Sequence, residues 1–162
     1  MKRKGIVIAL LLFTIVISGY SQEKLFEKFS DQDNITTISI SKALLSMVPS
    51  SAFSGSMNGV DINSILSKLE QIDIFTSQDN DAKNMIRTEV ESNFKKNKAY
   101  ESLMTVKDKE SNIAFYAQKK NNKFQSLVMF VDGLNESVLI RLLGEFTAED
   151  IQKLVDSTSK ND

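Results

Sequence analysis

The 162-residue sequence predicts an α+β fold: an antiparallel sheet with a C-terminal four-strand meander, and helices packed on the sheet. Three observations lead there. From residue 100 onward the apolar period shortens to that of strands, in four successive segments. The links between those segments are far shorter than the roughly dozen residues a parallel return needs, so the strands must form hairpins. Upstream, apolar stripes at helical spacing alternate with β-branched runs.

The chain opens on a charged and then apolar stretch. Lys2, Arg3 and Lys4 precede Ile6 to Ile17, a run of twelve residues broken only by Thr14. Gly19 and Ser21 then stand three and one positions before Gln22, the spacing a signal peptidase reads. As a helix, that run would rise about 18 Å, short of the roughly 30 Å hydrocarbon core. Residues 1–21 are therefore expected to be a signal peptide cut between Ser21 and Gln22, with 22–162 as one domain. The membrane is then met only through the transient leader. Without cysteine, attachment through a lipobox is excluded.

The segment 22–162 holds seventeen basic and twenty-one acidic residues, a net charge of −4. That balance gives no general attraction to nucleic acid. The absence of histidine and cysteine excludes a Ser-His-Asp triad, a thiolate nucleophile and an ordinary zinc site. No cofactor or metal is expected. Carboxylate chemistry, Ser–Lys catalysis, an oxygen-ligand calcium site or no catalysis at all remain.

Each element has a local cause. Leu25, Phe26 and Phe29 share a face, predicting a short helix over residues 23–29, and Ser30 to Asn34 reads as a turn. Ile35 to Ile40 is β-branched and predicts a strand; Lys42 to Val48 predicts a short helix stopped by Pro49. Residues 49–60, rich in serine and glycine, form the clearest loop. Asp61 can cap a helix over 62–70, and Ile72 to Thr76 resembles a strand. Asp79-Asn80-Asp81 can cap a long helix over 81–98. Its apolar stripe is Ala82, Met85, Ile86, Val90 and Phe94, with Lys83, Arg87, Glu91 and Lys95 on the wet side. The four strands of the meander span 102–106, 112–118, 124–132 and 137–146. Leu127 to Val131 is apolar throughout, which predicts a central strand covered on both faces. Thr147 and Asp150 form a capping-box pattern for the last helix, packed through Ile151, Leu154 and Val155.

Several blocks resemble one family of exported bacterial proteins. They are Ile38-Ser39-Ile40-Ser41-Lys42 with Leu44-Leu45, Ile72-Asp73-Ile74-Phe75, and Leu103 to Asp108. Leu127-Val128-Met129, Leu139 to Phe146 and Ile151 to Leu154 complete the set. Together they resemble domain of unknown function family 4252 over nearly all of residues 23–157. The resemblance implies a signal peptide, a compact domain and a Gram-negative envelope setting, either periplasm or cell surface, with no assigned activity. Some relatives stand beside genes for extracytoplasmic-function sigma factors, which implies a link to envelope stress signalling. Many look like lipoproteins, from which this cysteine-free chain departs. No catalytic residue carries over.

Candidate chemistry is sparse. Ser39-Ile40-Ser41-Lys42 fits S-x-x-K, as do Ser92 to Lys95 and Ser157 to Lys160, but no S-D-N or K-T-G companion exists. Capping at Ser39 or Ser41 is the plainer role. Asp31-Gln32-Asp33 and Asp79-Asn80-Asp81 begin like calcium loops yet lack the later glycine and glutamate. A carboxylate hydrolase would have to use residues such as Glu101 or Asp108. Phe53 and Met57, in the residue 49–60 loop, are expected to tuck under it as a satellite of the core. The alternative is a lid over a small amphipathic ligand. Charge is the broadest lead. Residues 83–123 carry ten basic and five acidic side chains, against four and nine in 22–82 and three and seven in 124–162. Lys119, Lys120 and Lys123 crown one hairpin; Lys107 and Lys109 crown the next one over, at the opposite end of the sheet. The expectation is a non-catalytic envelope protein whose partner is another envelope protein or a small amphipathic ligand.

Overall fold

The computed structural model describes residues 20–47, 49 and 65–159. Their elements are helix α1 (Tyr20–Ser30), strand β1 (Thr36–Ser41), helix α2 (Lys42–Met47), a 3-10 turn (Leu66–Lys68) and strand β2 (Leu69–Ser77). Helix α3 (Asn80–Val90) follows, then β3 (Tyr100–Lys107), β4 (Ser111–Lys120), β5 (Lys123–Gly133), β6 (Ser137–Phe146) and helix α4 (Ala148–Ser159). The six strands form one antiparallel sheet in the order β1-β2-β6-β5-β4-β3. Strands β3 to β6 are the meander. The fold is α+β, as the periodicities require.

Burial on both faces organises everything else. Along β5, Leu127 and Met129 face one core, while Val128 and Phe130 face the other. The first core also takes Ile72, Ile140 and Leu142 from the sheet, Leu45 from α2, and Ile151 and Leu154 from α4. The second joins Phe75, Leu139 and Tyr116 to Leu25 and Phe29 of α1, Ala82, Ile86 and Val90 of α3, and Phe94 just beyond it. Each large side chain taken wholly out of water contributes about 1.5–3 kcal/mol, so neither helix layer is dispensable.

Local chemistry sets the boundaries. Asp79 Oδ1 accepts from the Ala82 N–H at 2.9 Å, which starts α3 as the capping pattern predicts. Asn121 and Asn122 both adopt positive φ (50° and 63°), as the two-residue turn between Lys120 and Lys123 demands. Gly144 in β6 allows the Lys68 carbonyl to approach closer than any side-chain carbon would permit.

Four expectations need correction. Residues 69 and 70 are strand, not helix, because Leu69 and Ile72 are both needed in the first core and pair with β6. The long helix does not run to residue 98: α3 ends at Val90 and passes into a π-helical turn, Glu91–Lys95, which seats Phe94 against Tyr100 at 5.0 Å. Lys83 is not on the wet side; it is 4 % exposed, and its ammonium donates to the Leu134 carbonyl at 2.6 Å. Ser39 caps no helix; it sits within β1 and its hydroxyl donates across to Asp73.

The last helix starts with the expected reciprocal cap. Burial would raise the Asp150 carboxyl, yet bonds from Lys68 Nζ (2.6 Å), the Thr147 N–H (2.7 Å) and the Thr147 hydroxyl (2.8 Å) outweigh it and hold the pKa at about 2. A folded-state pKa below the unfolded value of about 3.9 makes this contribution complete above that value and lost as pH falls towards 2. Asp150→Asn is expected to cost about 1–2 kcal/mol at neutral pH, a figure reduced because Lys68 is partly solvent-facing. It should also flatten the acid limb of the stability curve between pH about 4 and 2. Urea denaturation at a series of pH values checks both.

Candidate functional site

With the inner strands covered on both faces, the sheet presents chemistry at its two ends. One end gathers the turn before β1 (Asp31, Asp33), the start of α3 (Asp79, Asp81), the β5–β6 turn (Asp132, Glu136) and the β3–β4 turn (Asp108, Glu110). Lys107 and Lys109 lie in that last turn. Lys83 and Arg87 of α3 serve the same end: Arg87 Nε donates to Asp132 Oδ2 at 2.6 Å, which raises the guanidinium's pKa. Burial pushes Asp132 up, but its bonds from Arg87 and Ser137 bring it below the ordinary value. This end is predominantly acidic.

The opposite end is lysine-rich. The π-helical turn delivers Lys95 and Lys96 there, Lys98 follows immediately, and the β4–β5 hairpin adds Lys119, Lys120 and Lys123. Tyr100 pairs with Gln118, so Lys120 at the end of β4 and Lys98 in the turn before β3 each lie two residues beyond that pair. Lys119 Nζ lies 5.8 Å from the Phe124 ring centroid, and Lys123 Nζ is 2.7 Å from Glu145 Oε2. A hydrogen bond from Lys96, with the charges of Lys96 and Lys95, holds the Glu91 carboxyl low. Lys95, Lys98 and Lys120 have no ion-pair partner among the described residues.

The same end is where the ladders are irregular. All four register shifts among the described strands, at Leu69/Gln71, Ser102/Met104, Gln118/Lys119 and Phe124/Ser126, fall there. Bulges bend strands and re-aim side chains, and they recur beside functional surfaces. Sequence patterning placed the lysines of the hairpin correctly but missed their union with those ending the long helix. The signal was available: Lys98 precedes strand β3 by the same count that Lys120 follows Gln118.

Other predicted residues fare differently. Phe53 and Met57 lie outside the described residues. Ser21 and Gln22 fall inside α1, which begins at Tyr20. Glu101 and Asp108 are not brought together: Glu101 pairs with Ala117 at the lysine end, and Asp108 closes the far turn. Asp108 Oδ1 accepts from the Glu110 and Ser111 N–H groups at 2.7 Å each, which lowers its carboxyl's pKa below the ordinary value. Lys42 of the first S-x-x-K pattern lies near Glu70, while Ser39 donates to Asp73 Oδ1 at 2.7 Å. No group of three acidic side chains placed to hold a metal occurs among the described residues.

The most buried polar group escaped the sequence entirely. Asp73 and Arg141 (side chains 0 % and 4 % exposed) form an ion pair between β2 and β6, with Arg141 Nη2 2.5 Å and Nε 3.0 Å from Asp73 Oδ2. Ser39 and Gln71 complete the carboxylate's shell, Gln71 donating at 2.8 Å. In each strand the charge is flanked by apolar residues, Ile72-Asp73-Ile74 and Ile140-Arg141-Leu142, and the two charges are of opposite sign.

The family model described as Domain of unknown function (DUF4252) matches residues 26–154, from within α1 to within α4. The chain belongs to this family. The match takes in every strand and both ends of the sheet, so the lysine end lies wholly inside the family domain. No curated protein and no solved structure matches the chain.

The Asp73–Arg141 pair yields a direct test. Arg141→Met leaves the carboxylate buried without its counter-charge and is expected to cost about 3–5 kcal/mol. Asp73→Val with Arg141→Met should recover most of that loss, because an apolar replacement removes the desolvation penalty of both charges. Urea unfolding of the two single variants and the double variant measures the coupling.

Proposed function

We propose that this protein is an exported envelope protein that works by contact, not catalysis, through the ends of its sheet. One observation carries the proposal: the inner strands are filled by apolar packing on both faces, while one end of the sheet gathers six exposed lysines, alongside Glu91, Glu101 and Glu145, and the other end is predominantly acidic. The buried polar groups point the same way, since Asp73, Arg141, Lys83 and Asp150 are each held by partners within the fold. Export is supported by the leader pattern of residues 1–21. Its extension to envelope stress signalling is supported by the family resemblance alone.

A second proposal, a carrier for a small amphipathic molecule, draws on α2. Its Leu44 and Met47 are 49 % and 78 % exposed, on the helix that precedes the serine- and glycine-rich sequence containing Phe53 and Met57. Exposed apolar side chains so close together favour an amphipathic neighbour.

Crosslinking in intact cells, with N-terminal sequencing of the recovered protein, tests both. The contact proposal expects a chain beginning at Gln22, found in the envelope fraction and crosslinked reproducibly to one envelope protein. A chain that keeps Met1 and remains in the cytosol contradicts it. Recovery of a bound amphipathic molecule with no protein partner selects the carrier.

A further inference from the structure

Resting on the contact reading above, we propose that the lysine end docks on an anionic phospholipid bilayer, with the acidic end facing away. Lys95, Lys96, Lys98, Lys119, Lys120 and Lys123 converge there from three short segments, all exposed. Four of them, Lys95, Lys98, Lys119 and Lys120, have no ion-pair partner among the described residues.

The kind of cation matters. A shaped pocket for one phosphate favours the planar fork of arginine, whereas lysines act as mobile point charges. Both arginines of the described fold are already engaged, Arg87 with Asp132 and Arg141 with Asp73. A crown of lysines without arginine fits a fluid layer of headgroup phosphates better than a single ligand.

Orientation follows from the rest of the charge. The chain from Gln22 is net negative, so an anionic surface repels it unless one end leads. The acidic groups collected at the far end supply that bias.

Vesicle co-sedimentation tests the proposal on the protein as recovered from cells, the N-terminus being common to all variants. Vesicles of phosphatidylethanolamine with phosphatidylglycerol should bind it, reversibly with salt, and vesicles of phosphatidylcholine should not. Lys98→Gln with Lys120→Gln should weaken binding by about 10-fold or more, since each lysine near an anionic surface is worth several-fold. Lys107→Gln with Lys109→Gln, an identical change in net charge at the acidic end, should change it by less than about 2-fold. Thermal melts of both variants establish that each is folded. Equal loss in the two pairs, or no binding to phosphatidylglycerol at low salt, overturns the proposal. Crosslinking to an acidic envelope protein that depends on Lys98 and Lys120, with no vesicle binding, overturns bilayer docking and leaves the contact reading standing. Vesicle binding by a protein confined to the cytosol would instead overturn the contact reading.

Discussion

Strands β5 and β6 carry apolar side chains on both faces, and burying both faces at once demands a helix layer on each side of the sheet. That constraint fixes where the helices go. Helices α1 and α3 close one face, and α2 and α4 close the other. It also explains why β6, not β3, accepts β2: the strand with the deepest two-sided burial must lie in the interior of the sheet. The Asp73–Arg141 pair sits at that junction, joining the strand that arrives from the N-terminal half to the meander. A desolvated pair is weak evidence for stability, but it penalises any slip of β2 against β6 that would leave either charge alone.

Much of this was legible in the sequence, for reasons local to each segment. The unbroken apolar run Leu127 to Val131 announced a central strand, and the short polar links announced hairpins. Asp79 and the Thr147–Asp150 pair announced helix starts, because a cap depends only on residues three apart. What escaped depends on distant partners. Lys83 looks solvent-facing on a helical wheel, and only the β5–β6 turn, some fifty positions later, buries it. Residues 69 and 70 have a helical period, yet pairing with β6 overrides it. The order of strands, with β6 between β2 and β5, has no local signature at all.

The candidate site was half legible for the same reason. Lys119, Lys120 and Lys123 flank an Asn-Asn turn and could be placed at a hairpin tip from sequence alone. Their alignment with Lys95, Lys96 and Lys98 required the register of β3 on β4 and the π-helical turn that seats Phe94 on Tyr100. Charge that looks scattered along the chain is thus sorted by topology. Inner strands covered on both faces leave the sheet's ends as natural places for contact, one lysine-rich and the other predominantly acidic.

Native-state hydrogen exchange, resolved by residue, tests the two-sided sheet most directly. Amides of β5 and β6 should be the slowest in the protein and should open only with global unfolding, at the free energy given by urea denaturation. Edge strands β1 and β3 should exchange first among the strands. If β5 and β6 amides exchanged as fast as those edges, the sheet would not be held between two cores, and the account built on it would be wrong.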